Sequence, residues 1–146
     1  MNKSLFLLLT ICFVCSIGCS QGPVCYIAEG DVTFKGEPLS KAIVSFIPVD
    51  PSQGTTVANG MTDDKGHFVL TASQFGKEGN GATPGDYYVT IIRYNDKPSR
   101  QEPSPYGPID VYNSVIPERY GNQAASKLNA TVEKKKNFYS FALEEK

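Results

Sequence analysis

Histidine is almost missing from this chain: His67 is the only one in 146 residues. One imidazole cannot fill a zinc site, and the four cysteines (Cys12, Cys15, Cys19, Cys25) follow no metal-binding spacing that would make up for it. No Gly-x-Ser-x-Gly turn is present, and no Cys/His pair offers an activated nucleophile. An excess of either charge is lacking as well. With 14 basic and 15 acidic residues the formal net charge is −1, so the clustered positive charge that nucleic acid requires is not there. The longest apolar run, Leu5 to Val14, is ten residues, where a membrane-spanning helix needs about 20. These absences argue against a metalloenzyme, a nucleophilic hydrolase and a nucleic-acid binder. The expectation is no enzyme, no cofactor, no metal and no nucleic-acid partner.

What is present begins with an address. Lys3, the apolar run behind it and the small residues Ser16 and Gly18 form the three-part layout of a secretory signal. The segment "SIGC", Ser16 to Cys19, resembles a bacterial lipobox, with Ser16 where that pattern prefers Leu. The resemblance implies cleavage before Cys19 and a lipid on Cys19, with "SQGPV" behind it as a flexible tether. Ser16 and Gly18 also satisfy the small-x-small rule of an ordinary signal peptidase, which would cut the same bond. Cys12 and Cys15 leave with the signal in either case. Cys25 is then left alone, or else pairs with an unlipidated Cys19 in an oxidising compartment. The expected division is a signal over 1–18, a tether over 19–25 and one folded unit over 26–146. The mature chain has 128 residues, and losing Lys3 leaves 13 basic against 15 acidic, or −2. The protein is expected to be exported and held at the cell envelope by the lipid on Cys19. Ser20, rather than Asp, after that cysteine points to the outer membrane where the cell has one.

From Cys25 onward, short alternating apolar runs are separated by turn residues, the pattern of half-buried strands. Val32 and Phe34 share one face, as do Val44 and Phe46. Gly60 in "TTVANGMT" suggests a bulge or an edge. Asp63 to Gly66 reads as a turn, with Gly66 supplying a positive φ, before a strand that buries Phe68 and Leu70. Pro84-Gly85 precedes a strand that buries Tyr87, Val89 and Ile91. Leu128, Ala130 and Val132, a lysine-rich turn, then Tyr139, Phe141 and Leu143 complete the set. About seven strands and no amphipathic helix predict an all-β, seven-stranded antiparallel β-sandwich. One proline-rich stretch, residues 95–118, breaks the rhythm with Pro98, Pro103, Pro105, Pro108 and Pro117. Long loops of that kind are functional or disordered.

The order of motifs narrows the fold. "GDVTFKGEPLSKAIVSF", then "GMTDDKGHFVLT", then "GATPGDYYVTI" resembles the carboxypeptidase regulatory-like, or transthyretin-like, domain. The anchors of that pattern fall on Gly30, Val32, Gly36, Pro38, Leu39, Ala42, Val44, Phe46, Thr62, Asp63, Gly66, Phe68, Pro84, Gly85, Tyr87, Val89 and Ile91. The tail from "VIPERY" onward looks like the end of small bacterial envelope lipoproteins built on one such domain. The resemblance implies a prealbumin-type sandwich, usually non-catalytic, with no particular ligand. Two enzyme families share related cores. The hydroxyisourate hydrolases need several His and Arg residues, and the intradiol dioxygenases hold iron with two Tyr and two His. A single histidine meets neither requirement.

Each remaining candidate has a plain structural reading. Thr62 and Asp63 are placed to bond turn amides, and Tyr87 to bridge the sheets with its hydroxyl near a partner. His67, with Asp63 and Asp64 nearby, reads as an outward histidine after a turn. Asp63-Asp64-Lys65-Gly66 lacks the alternating ligands of a calcium loop. The run Glu133 to Lys136 reads as a solvated turn that discourages edge pairing, rather than a lipid or polysaccharide contact. Asn129-Ala130-Thr131 spells a glycosylation sequon by chance. Tyr94, Tyr106, Tyr112 and Tyr120 lie in or beside the proline-rich stretch and are expected to pin it to the sandwich. The alternative is that Tyr106 and Tyr112 contact a protein or polysaccharide partner. The leading expectation is a lipid-anchored envelope protein carrying a structural or interaction module. The second is a carbohydrate-binding module using the loop tyrosines.

Overall fold

The computed structural model describes residues 24–74 and 77–145. The signal segment, Cys19 and the tether through Pro23 therefore lie outside the described residues. In chain order the strands are β1 (Ala28–Phe34), β2 (Glu37–Pro38), β3 (Ile43–Pro48), β4 (Ala58–Met61), β5 (His67–Val69) and β6 (Thr71–Gln74). They continue with β7 (Lys77–Asn80), β8 (Gly85–Ile92), β9 (Arg100–Glu102), β10 (Ile109–Val111), β11 (Leu128–Val132) and β12 (Asn137–Leu143). Among the described residues the only helices are two short 3-10 turns, Pro51–Gln53 and Glu118–Gly121. The protein is all-β.

One sheet holds β12, β1 and β2 in that order, with β5 also paired to β1; a second runs β11-β8-β3-β4-β6-β7; β9 and β10 form a separate ribbon. Every pairing is antiparallel except one. The last strand, β12, runs parallel to the first, from Ala28 opposite Asn137 to Phe34 opposite Leu143. This corrects the wholly antiparallel expectation. Antiparallel neighbours can be joined by tight turns, but a parallel pair must be built from segments far apart in sequence, and alternation alone is blind to its direction.

The two larger sheets face each other across an aromatic centre. Phe46 of β3 is fully buried and lies 6.5 Å from the Phe68 ring of β5, and 5.2 and 6.3 Å from the Tyr139 and Phe141 rings of β12. Tyr87 of β8 adds a fourth ring at 5.7 Å. Tilted pairs of this kind contribute about 0.5–1.5 kcal/mol each beyond the area they bury. The alternation of Tyr87, Val89 and Ile91 in β8, of Ala130 and Val132 in β11, and of Phe141 and Leu143 in β12 places all of them in this core.

One strand belongs to both sheets. β5 and β6 are a continuous extended run that changes sheet at Leu70, which is fully buried and donates its N–H to Ala28 O at 2.9 Å. The crossing explains Gly60, which is neither a bulge nor at a sheet edge. Its strand, β4, lies between β3 and β6, and a Cβ at Gly60 would sit 2.5 Å from the Val69 carbonyl oxygen. Glycine lets the switching strand pass close by.

The proline-rich stretch is a ribbon. β9 pairs with β10 from Arg100 opposite Val111 to Glu102 opposite Ile109. Its prolines fall where no ladder N–H is needed: Pro103 just after β9, Pro108 just before β10, Pro98 ahead of both. Three-residue strands flanked by prolines offer too few alternating positions for a period to register.

Candidate functional site

The outer face of the first sheet carries the only histidine. Register sets His67 of β5 opposite Asp31 of β1, and His67 Nδ1 lies 2.8 Å from Asp31 Oδ1. The ring also stacks against Phe138 at 6.5 Å. Asp63 and Asp64 do not partner the imidazole. Asp63 Oδ1 instead accepts from the Lys65 N–H at 2.8 Å and the His67 N–H at 2.9 Å. Those two amides hold the Asp63 carboxyl below the usual carboxylate range. Gly66 takes φ +78, and its carbonyl receives the Val32 N–H. The Asp63 to Gly66 stretch is therefore a turn clamped onto β1. Among the described residues no cluster of three or more His, Cys, Asp or Glu side chains could hold a metal ion.

Thr62 and Tyr87 meet the roles expected of them. Thr62 Oγ1 accepts the Ala42 N–H at 2.8 Å and donates to Leu39 O at 2.6 Å, which ties the corner after β2 to the turn after β4. Tyr87 Oη donates to Thr83 O at 2.7 Å and shares a bond of the same length with Thr83 Oγ1. Burial raises the pKa of Tyr87, and raises that of Tyr139 to about 12. Among the described residues Cys25 forms no disulfide, and burial likewise pushes its thiol pKa up.

The four loop tyrosines separate into two groups, which corrects the expectation that all would pin the loop. Tyr120 does pin. It is buried, and its hydroxyl accepts the Glu144 N–H at 2.9 Å while Arg119 stacks on its ring and donates to Glu144 O at 2.6 Å. The other three face solvent. Tyr106 is 100% exposed at the ribbon tip, Tyr112 is 42% exposed beside β10, and Tyr94 is 49% exposed at the ribbon base. Tyr106 sits in the turn at the tip, closed by the Gly107 N–H to Ser104 O bond, and Tyr112 follows the end of β10. The ribbon base is held by Arg93, which donates to Ser40 O at 2.8 Å, and by Asp96, which bridges Arg93 and Lys41. The Lys41 hydrogen bond is the main cause lowering the Asp96 pKa.

The lysine turn is largely paired. Lys135 meets Glu133 at 2.5 Å and Lys136 meets Glu29 at 2.7 Å. Its position matters more than its charge. The Asn137 N–H donates to Ile27 O at 2.8 Å, so this turn sits where the chain enters the fold from the tether.

No pattern in the sequence signals a groove on the outer face of the second sheet. It holds about 700 Å3 and is lined by Tyr88 of β8, Asn129 of β11 and the Gly121–Lys127 connection. A smaller recess of about 370 Å3 shares Gly121 and Asn122 with it and reaches Ile92, Tyr94 and Glu118. Tyr88 faces outward because Tyr87 and Val89 on either side face in, and Asn129 stands directly opposite it. The connection is rigidly held. Ser126 Oγ donates to Val89 O, and the Ser126 N–H to Asn122 O, both at 2.8 Å.

No family model matches the chain, and no curated protein matches it. Among solved structures it is similar to the 9R-lipoxygenase from Cyanothece PCC8801, at 14% identity and a TM-score of 0.41 over 86% of this chain. The match spans 18% of that enzyme's length, and a likeness this low carries no argument about fold or activity.

Proposed function

We propose that the chain is a lipid-anchored envelope protein whose single domain is a transthyretin-like sandwich acting as a structural or interaction module. The observation that carries this reading is the use made of the motif residues. Thr62, Asp63, Gly66 and Tyr87, which the family pattern places in order, serve as turn clamps and a core bridge. His67, the one imidazole, is engaged with Asp31 and Phe138 on an open sheet face, away from the groove.

Geometry adds a consequence. β1 starts at the tether, next to the Glu133 to Lys136 turn, and β8 starts at the same end, with Gly85 opposite Val132. The ribbon leaves from the far end of β8, after Ile92. A lipid on Cys19 would thus present the ribbon away from the bilayer, toward partners. The test is the intact mass of membrane-extracted protein without reductant. A start at Cys19 plus a diacylglyceryl group supports the anchored reading. A bare Cys19 two hydrogens light means a Cys19–Cys25 disulfide in a secreted domain and overturns it. Substrate turnover that is lost in His67→Ala would overturn the non-catalytic part.

A second reading, a carbohydrate-binding module using Tyr106 and Tyr112, draws on the complete exposure of Tyr106 at the ribbon tip. Glycan-array binding that disappears in Tyr106→Ala or Tyr112→Ala would favour it. A flat array would count against it.

A further inference from the structure

The groove beside Tyr88 gathers side chains that the fold leaves without work. We propose that it binds a short oligosaccharide, with the Tyr88 ring as the floor and the carboxamides of Asn122, Gln123 and Asn129 as the hydrogen-bonding rim. The inference shares its class of ligand with the second reading above, and depends neither on that reading's tyrosines nor on the lipid.

The rim's polar groups are available. Among the described residues, the Tyr88 hydroxyl, the Gln123 amide and the Lys127 ammonium take part in no hydrogen bond or ion pair. Asn122 commits its Oδ1 to the Ala124 and Ala125 N–H groups at 2.9 and 3.2 Å, which leaves its NH2 unbonded. Asn129 reaches only Lys127 O, at 3.4 Å.

The chemistry of a pyranose fits this set. The sugar offers one face of C–H bonds to an aromatic ring, and adjacent hydroxyls that donate and accept in pairs. The Gln123 and Asn129 carboxamides answer the latter with a donor and an acceptor side by side, and Asn122 adds its NH2 donor. A protein partner would require buried apolar anchors. The larger groove has only the Tyr88 ring and Ala124 to offer. Its size lies within the usual range of ligand sites, about 300–1,000 Å3. The adjoining recess toward Tyr94 and Glu118 suits a chain of sugars better than a single ring. Because Ser126 already fixes the connection, binding need not order a loop, which removes one common cost of association.

The test titrates the purified full chain with chitotetraose, cellotetraose, maltotetraose and tetragalacturonate, followed by calorimetry. At least one is expected to bind, with affinity reduced about tenfold or more in Tyr88→Ala and severalfold in Gln123→Ala. Gln123 is exposed on a surface turn and keeps the test valid if Tyr88→Ala fails to fold. Tyr106→Ala is expected to bind like the parent. Binding that survives Tyr88→Ala and Gln123→Ala but disappears in Tyr106→Ala or Tyr112→Ala would overturn the groove and leave the second reading standing. No binding of any of the four at about 10 mM would also overturn it. Neither result bears on the anchored-module reading, which the intact mass decides separately.

Discussion

Replacing Thr62 by valine keeps the shape of the side chain and deletes a single hydroxyl, so the cost of the change can be assigned. Thr62 is 3% exposed, and among the described residues its hydroxyl is the sole hydrogen-bond partner of both the Ala42 N–H and the Leu39 carbonyl. Valine would leave both orphaned in the interior. A buried unsatisfied group costs about 1–3 kcal/mol, so the pair is expected to lose roughly 3 kcal/mol, allowing for the second lone pair that makes a carbonyl the more tolerant of the two. Serine at the same position keeps both bonds and removes one methyl, at a cost of about 1 kcal/mol. The order of stability is therefore Thr, then Ser, then Val. Hydrophobicity alone would put valine first, since it is the most apolar of the three. Urea unfolding measures it, with an unchanged m-value showing that the native and denatured states stay comparable. For a domain of this length, the valine variant should melt about 10 °C lower. If Thr62→Val proves as stable as Thr62→Ser, the two bonds do not hold the corner together and this account of the motif is wrong.

Three further outcomes are expected. Gly60→Ala would push a Cβ to within 2.5 Å of the Val69 carbonyl oxygen and should cost about 2 kcal/mol or more in urea unfolding; a neutral effect would mean the crossing strand can shift aside. Asp63 is held below its usual pKa by two amides, so its contribution is complete above about pH 4 and falls away as pH drops toward its lower folded value. The stability advantage of the parent over Asp63→Asn should accordingly shrink between pH 7 and pH 3, and an advantage independent of pH would refute the assignment. Tyr139, raised to about 12 by burial, contributes stability that is intact below about pH 10 and is lost as pH rises from there toward 12. A phenolate absorbance titration should therefore show a late component, shared with the buried Tyr87, that loses one phenol in Tyr139→Phe.

Local chemistry is what could be read from the chain in advance. The Asp63 to Gly66 turn and the alternation of Tyr87, Val89 and Ile91 each depend on residues within a few positions of one another, whereas the clamp at Thr62 reaches back to Leu39 and Ala42. Periodicity and turn chemistry act at that range. The parallel pairing of β1 with β12 joins residues more than a hundred positions apart, and the Asp31–His67 contact exists only because of the β1–β5 register. Gly60 differs from its expected bulge or edge for a related reason. A glycine in a strand signals close approach, but only the tertiary path of β5 into β6 shows what approaches.

The groove marks the limit most clearly. Tyr88 is recognisable from alternation as outward-facing, while Asn122, Gln123 and Lys127 look like any polar connection and Asn129 like a stray sequon. They become one surface because β11 pairs with β8 and because Ser126 ties the connection down over Val89. Turn and core residues are dictated by the chain's own need to satisfy its amides and bury its rings, so they leave periodic traces. Residues that meet a ligand are free of that need. In this chain the idle side chains around the groove, unlike Tyr106 and Tyr112 on the ribbon, are ones that no sequence pattern singles out. An inventory of idle polar groups on a rigid surface is therefore a better guide to its partner than the motifs that identify its fold.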